Sequence, residues 1–440
     1  MGSILQLFKD LFLVITTGFI VFWFIKDYRK AILWYLVFYA FISLVGLGRV
    51  IYNENVVIPL MLLFVLMNKP DQSSKPNVYY LLLFIYLITL TYINGLSVVD
   101  TYSRGTYLFL VLLIYSRNLF SNPDDALKVI FLIWMITIGI AFSFLVYGEG
   151  IFSVSDISTQ ERNMQLNTGI KDSAAKDLNY FSSGQAIGAI ITLMFIIYRR
   201  QLINLNFLPV VFKQFLRSKF FHTTLIVILA IQVWFVFRSL SRGGILVFIV
   251  GILSLVYLLK KKKYILYGAL SLVILYLILN QVGIIDLLMD RFEGDETGIS
   301  GRNFIYLGIL QSVYDQGGIF QILFGAGIDW PWYDYWIGNT WGKKAVSTHN
   351  QWLSLYVSIG LLGLFLFLLP LIKGIRNSLK NHNLVNHFRI VLFACFFVMA
   401  LSLEPLVFIP YVWFIVALAA TYTPNYQKSI NEPQKAHRIT

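Results

Sequence analysis

Long uninterrupted runs of apolar residues restrict the fold of this chain more than any other feature. Most runs approach the length of about 20 residues that an α-helix needs to cross a hydrocarbon core about 30 Å thick. Strands of a membrane barrel would give alternating segments of about ten residues instead. The runs lie at residues 11-25, 31-51, 56-67, 79-95, 105-116, 129-147, 180-198, 223-238, 243-259, 264-284, 351-372, 389-403 and 409-423. We therefore predict an all-α polytopic membrane protein with 12 spans if the first run lies at the interface and 13 if it crosses.

The composition agrees with this fold and excludes the soluble classes. Hydrophobic residues make up 58% of the 440 residues and charged residues only 13%, against about 45–50% and about 25% in soluble domains. A disordered chain shows the reverse balance. The single cysteine, Cys395, can form no internal disulfide.

The net charge of +13 is unevenly distributed along the chain. Basic residues concentrate in the connections around 199–221, 260–263 and 373–389, which all fall on one side of the membrane when the runs are counted through. Short loops rich in Lys and Arg stay on the cytoplasmic side. The excess charge therefore indicates topology, and no nucleic-acid partner is needed to explain it.

Two long connections lie on the opposite, external side, and the second is far longer than an ordinary loop, which indicates a function. The expected organisation is N-terminal transmembrane helices (1-147), an external loop (148-179), central transmembrane helices (180-284), a long external catalytic loop (285-350), C-terminal transmembrane helices (351-423) and a cytoplasmic tail (424-440).

The end of the long external loop holds a histidine directly before an apolar helix. Ser347 or Thr348 is expected to cap this helix, which would place His349 in its first turn. The positive end of the helix dipole disfavours an imidazolium, so His349 should be neutral and able to accept a proton.

The chain from His349 follows the pattern H-[NSQ]-x9-G-x-x-G, which ends at Gly360 and Gly363. Two glycines at this spacing let a neighbouring helix approach closely. The pattern resembles the signature of the O-antigen ligase and O-antigen polymerase superfamily, membrane glycosyltransferases that use polyprenyl-diphosphate-linked glycans. Over about residues 170–370, further motifs resemble those of the superfamily and occur in its order: Asp177-Leu178-Asn179 with Leu in place of Pro, Ser241-Arg242-Gly243, Ser300-Gly301-Arg302 and Gly325-Ala326-Gly327.

Arginine suits a diphosphate because its planar guanidinium donates two parallel hydrogen bonds and stays charged. Arg242, in the tight external turn between the eighth and ninth runs, is therefore a candidate ligand, and Arg238 would lie on the same side if that stretch is helical. The resemblance implies a GT-C-like fold, adds Arg302 to the diphosphate site and makes His349 the catalytic base. Further candidates for substrate binding are Arg291, Asn350, Trp330, Trp332, Tyr333, Trp336 and Glu404.

Two of these assignments have ordinary alternatives. The aromatic stretch 330–336 could stack on an acceptor glycan or form an interfacial belt. Glu404 could orient His349 or cap a helix end. No metal or cofactor is expected, because the early external loops contain only Glu54 and Asp100 as acidic residues, too few for a divalent cation.

These features favour a metal-independent, inverting glycosyltransferase of surface polysaccharide synthesis, located in the bacterial inner membrane with its active site on the periplasmic or extracellular face. A polymerase is favoured, and the alternative is a ligase that transfers the glycan to lipid A core. A polysaccharide transporter or flippase is the second alternative, disfavoured because mid-span positions are almost wholly apolar. The expected partners are an undecaprenyl-diphosphate-linked glycan donor, a glycan or glycolipid acceptor, the lipid bilayer and a possible chain-length regulator.

Overall fold

The computed structural model of the chain describes residues 77–95, 101–120, 122–147, 178–203, 217–239, 241–259, 302–327, 350–403 and 410–422, with isolated residues among 11–38, 213–214 and 277–286. Within these ranges nearly every residue is helical and no strand occurs. Six of the described helices are long and apolar enough to cross a membrane. The prediction of an all-α polytopic membrane protein is confirmed.

The described helices are numbered here in chain order. They are α1 (Val78–Ile93), α2 (Thr101–Phe120), α3 (Pro123–Tyr147), α4 (Leu178–Ile197), α5 (Arg199–Ile203), α6 (Lys219–Arg238), α7 (Arg242–Leu259), α8 (Arg302–Ser312), a π-helical turn (Val313–Gly317), α9 (Gly318–Phe324), α10 (Gln351–Lys380), α11 (Leu384–Ser402) and α12 (Pro410–Ala419).

The core of the bundle forms around α4, which packs against α3, α6 and α7. Helix α7 also packs against α11, which in turn contacts α10 and α12. A methyl group at Gly251 of α7 would lie 2.6 Å from a side-chain carbon of Ile190 and 2.9 Å from the sulfur of Cys395. The glycine therefore lets α7 pack tightly against both α4 and α11.

A hydrogen-bonded group of uncharged side chains lies inside the bundle, between α3, α4 and α6. The Thr192 hydroxyl accepts a hydrogen bond from Trp134 Nε1 at 2.7 Å and lies 2.7 Å from Gln232 Oε1. Gln185 Nε2 donates to the Thr137 carbonyl at 3.0 Å, and Gln232 Nε2 lies 3.3 Å from the Thr137 hydroxyl. The expectation of almost wholly apolar mid-span positions is wrong here, because polar side chains can be buried between helices when they bond to each other.

The structure corrects the assignment of Arg389 to a basic loop. Arg389 lies in the second turn of α11 and is 0% exposed. Its guanidinium donates to Asn386 Oδ1 at 2.9 Å and to the carbonyl of Phe120, the last residue of α2. A cation at the C-terminus of a helix is stabilised by the helix dipole. Arg389 therefore joins α11 to the end of α2.

Candidate active site

Helix α10 begins one residue after Asn350, which caps it. The Oδ1 of Asn350 accepts hydrogen bonds from the backbone N–H groups of Trp352 at 3.0 Å and Leu353 at 3.1 Å. The prediction that Ser347 or Thr348 caps this helix is therefore wrong. His349 precedes the cap instead of occupying the first turn, and it lies outside the described residues. A role of Asn350 in substrate binding stays a prediction.

The two candidate arginines of the turn between the eighth and ninth apolar runs lie on different helices. Arg238 ends α6 and Arg242 begins α7, so the continuous helix that would align them is absent from this described stretch. Both side chains are half-buried. Ser241 Oγ lies 3.3 Å from the Gly244 N–H, which it caps, and donates to Asn179 Oδ1 at 2.9 Å. This second bond joins the turn to the first turn of α4.

The glycines that follow Arg242 hold this turn against two other helices. A methyl group at Gly244 would lie 2.5 Å from the Cβ of Ser182 in α4. A methyl group at Gly243 would lie 2.5 Å from the hydroxyl of Ser402, the last residue of α11. The chain that leads from α11 towards Glu404 therefore starts beside the Arg242 turn. Glu404 itself lies outside the described residues.

The beginning of α10 rests on the same end of α11. Trp352 Nε1 donates to the carbonyl of Phe397 at 3.1 Å. Phe397 and Ser402 are separated by about 8 Å along the axis of α11. The end of α11 therefore lies next to the Arg242 turn and next to the helix that follows His349, so it brings these two parts of the chain together.

Arg302 is the first residue of α8, and its side chain lies outside the described part of the structure. The helical segment 302–324 packs onto the first turns of α10 through a small apolar cluster of its own. This cluster consists of Ile309, Val313, Ile322, Leu353, Tyr356 and Val357. The helix that starts with Arg302 is therefore attached to the helix that starts just after His349.

Helix α10 is broken at Gly360, where φ is 60° and ψ is −172°. This backbone conformation is essentially restricted to glycine. A methyl group at Gly360 would lie 2.5 Å from the backbone nitrogen of Gly325 and the carbonyl oxygen of Leu323. The predicted close approach of a neighbouring helix is confirmed at Gly360, which meets the last turn of α9 and Gly325, but it is wrong at Gly363, where a methyl group would collide with Ile359 of the same helix.

Three successive carbonyls that the break frees in α10 find new donors. In a continuous helix they would accept bonds from N–H groups four residues later. The crossing segment and α1 replace those donors, as backbone at membrane depth requires. The replacement bonds are Ala326 N to Val357 O at 3.0 Å, Gly327 N to Ser358 O at 2.9 Å, and Tyr86 Oη to Ile359 O at 3.2 Å.

Helix α1 contributes two residues that the sequence analysis missed. The Tyr86 hydroxyl shares its single proton between the carbonyls of Ile359 and Phe324, and Asn94 Nδ2 donates to the carbonyl of Ala326 at 2.8 Å. Both residues belong to an ordinary apolar run, so no motif marks them. The single signal is the Asn94-Gly95 pair, which is typical of a helix C-terminus.

A cavity of about 30 Å³ lies between α1, α2 and the first turns of α10. Its polar lining consists of Thr106, Gln351, Ser354 and Ser358, and the remaining lining residues are apolar. This volume suits an ordered water molecule. It is too small for a sugar.

The remaining candidates stay predictions because they lie outside the described residues. They are Arg291, Trp330, Trp332, Tyr333 and Trp336. Among the residues that the structure does describe, no group of three His, Cys, Asp or Glu side chains could hold a metal ion.

Comparison with known protein families gives a match over residues 225–368, to the family described as O-Antigen ligase. This match supports the resemblance to the O-antigen ligase and polymerase superfamily that the sequence motifs indicated. The O-antigen ligase match extends from α6 into α10 and includes Arg242, Arg302, His349 and the break at Gly360. Curated proteins and solved structures give no match. The family match and the apolar helices support a multi-pass membrane protein of the O-antigen ligase or polymerase type, and the family implies a lipid-linked glycan substrate.

Proposed function

We propose that the protein transfers a glycan from undecaprenyl diphosphate to a sugar hydroxyl at the outer face of the bacterial inner membrane. The observation that carries this proposal is the meeting of two motifs at one end of α11. The Arg242 turn packs on Ser402, and Trp352, three residues after His349, bonds to Phe397. Both motifs lie inside the range that matches the O-antigen ligase family.

The proposed reaction is a single displacement. The acceptor oxygen bonds to the anomeric carbon while the bond from that carbon to the diphosphate oxygen breaks, and the electron pair of the broken bond goes to the diphosphate. His349 accepts the proton of the acceptor hydroxyl. Because the acceptor attacks opposite the leaving group, the anomeric configuration inverts.

The diphosphate needs charge stabilisation as it leaves, and arginine can supply it. We assign this role to Arg242 and Arg302, whose guanidinium groups match the geometry of phosphate oxygens. Arginine charge can take the place of a metal ion at the leaving group. A metal-independent mechanism is consistent with the scarcity of acidic residues in the early external loops.

Substitution of His349 and Arg242 tests this mechanism. The purified protein is incubated in lipid nanodiscs with a lipid-linked oligosaccharide, and its products are separated by size. His349→Ala and Arg242→Ala should each lower turnover by at least about 100-fold. His222→Ala and Arg376→Ala are matched controls, since His222 lies near the start of α6, at the opposite end from Arg238, and Arg376 is exposed near the end of α10.

Full activity in either test variant would refute the mechanism. A transporter would also keep its function without His349, because moving a glycan across the bilayer breaks no glycosidic bond. The same two variants therefore separate the enzyme from the transporter.

We propose that the acceptor is a second lipid-linked repeat unit, which makes the enzyme a polymerase. The glycan profile of a deletion strain tests this choice. Loss of a polymerase leaves single repeat units on the final acceptor. Long polymer that accumulates on the lipid carrier would instead identify a ligase, with lipid A core as an expected acceptor.

A further inference from the structure

The helical segment 302–324 is attached to α10 at two places. The first attachment is the apolar cluster around Val313 and Val357. The second is the set of hydrogen bonds between residues 325–327 and the broken part of α10. An apolar contact tolerates sliding because it is not directional, whereas hydrogen bonds fix distance and angle. The second attachment therefore sets the register of the segment.

Helix α1 completes this second attachment with two side-chain hydrogen bonds. The Tyr86 hydroxyl reaches the last carbonyl of α9 and the carbonyl just before the break, and Asn94 reaches the carbonyl of Ala326. Tyr86 thus bonds to both sides of the crossing. Both residues lie far outside the range that matches the O-antigen ligase family.

We infer that Tyr86 and Asn94 are positioning residues that hold α8, which begins at Arg302, in register with the start of α10, which follows His349. The inference rests on the proposed function of Arg302 and His349. Tyr86 and Asn94 act through the backbone of residues 324–326 and do not touch the substrate. Small shifts of a group that stabilises a transition state cost turnover, so their removal should slow the reaction more than it weakens donor binding.

The test is a kinetic comparison of Tyr86→Phe with the unsubstituted protein, per folded molecule. Loss of this hydroxyl should lower kcat by about 3- to 10-fold and change the donor KM by less than about twofold. Asn94→Ala should give a similar loss and serves as an independent second variant. Tyr92→Phe is the matched control, because Tyr92 lies in the same helix and is 76% exposed.

A double substitution tests whether the effect of Tyr86 on kcat depends on Arg302. In an Arg302→Lys background, Tyr86→Phe should lower kcat by less than about twofold further, because the group that it positions is already impaired. An equal loss in both backgrounds would overturn the inference. So would a changed melting temperature with unchanged kcat, or an equal loss in Tyr92→Phe.

The outcomes also separate this inference from the proposed function. If His349→Ala and Arg302→Ala keep full activity, the proposed function fails. If those two variants are inactive while both Tyr86→Phe and Asn94→Ala behave like the unsubstituted protein, only the positioning role fails.

Discussion

Substitution of Gly360 by alanine adds only one methyl group but should lower both stability and turnover. The new methyl group would lie 2.5 Å from the Gly325 nitrogen and the Leu323 oxygen, both of which are backbone atoms. A side chain cannot rotate away from such atoms, so the crossing segment must move. The φ of +60° adds a conformational penalty of about 1–3 kcal/mol for a residue other than glycine.

The displaced segment would also lose the hydrogen bonds that it donates to α10. The two backbone bonds from Ala326 and Gly327 contribute about 0.5–1.5 kcal/mol each. Together with the conformational penalty, Gly360→Ala should cost about 2–6 kcal/mol. Whole domains are stable by only about 5–15 kcal/mol, so the melting temperature should fall by several degrees and turnover should fall with it.

Thermal unfolding of the purified protein in detergent measures the first effect, and the transfer assay measures the second. Gly18→Ala is the control, since a methyl group there would meet no atom within 4 Å. It should leave both quantities unchanged or raise stability slightly. A Gly360→Ala variant with an unchanged melting temperature and full turnover would refute the account of the break.

Two further predictions concern buried contacts. Arg389→Met should lower stability by about 1–3 kcal/mol, because Asn386 Oδ1 and the Phe120 carbonyl lose their donor. Thermal unfolding measures this effect. Turnover per folded molecule should stay unchanged, because Arg389 lies about 20 Å from the Ser402 end of α11. Gly244→Ala should lower stability by about 1–3 kcal/mol, because its methyl group meets Ser182. Adding Ser182→Gly to this variant should restore part of the melting temperature. No restoration would contradict the assigned contact.

Hydropathy predicts helices well where burial is apolar and fails where a partner satisfies a polar residue. The run at 243–259 matches α7 within one residue. The run at 389–403 misses the start of α11 at Leu384. The first turns of α11 contain two polar residues whose hydrogen bonds leave no trace in hydropathy: Asn386 donates to the nearby carbonyl of Asn381, and Arg389 donates to the distant carbonyl of Phe120.

In the candidate site, too, local sequence patterns were predictable, and contacts between distant residues were not. The spacing from His349 to Gly360 marks the start of α10 because it is a local pattern. The conformation of Gly360 depends on residues 323–325, and the bond from Tyr86 crosses more than half the chain. Such long-range contacts follow from packing and not from any motif.

The break in α10 also limits which helices can separate from each other. Lys373 is the first charged residue of α10, and the break lies about 20 Å before it along the helix axis. A hydrocarbon core about 30 Å thick that starts at Lys373 therefore contains the break. Detachment of the crossing segment 325–327 would leave the carbonyls of Val357 and Ser358 without their donors, at a cost of about 1–3 kcal/mol each.

Helix α9 and the first half of α10 must consequently move as one rigid body. A lipid-linked substrate that enters from the bilayer cannot separate them. The apolar cluster around Val313 and Val357 joins α8 to the same body, so α8, α9 and the first half of α10 form one unit.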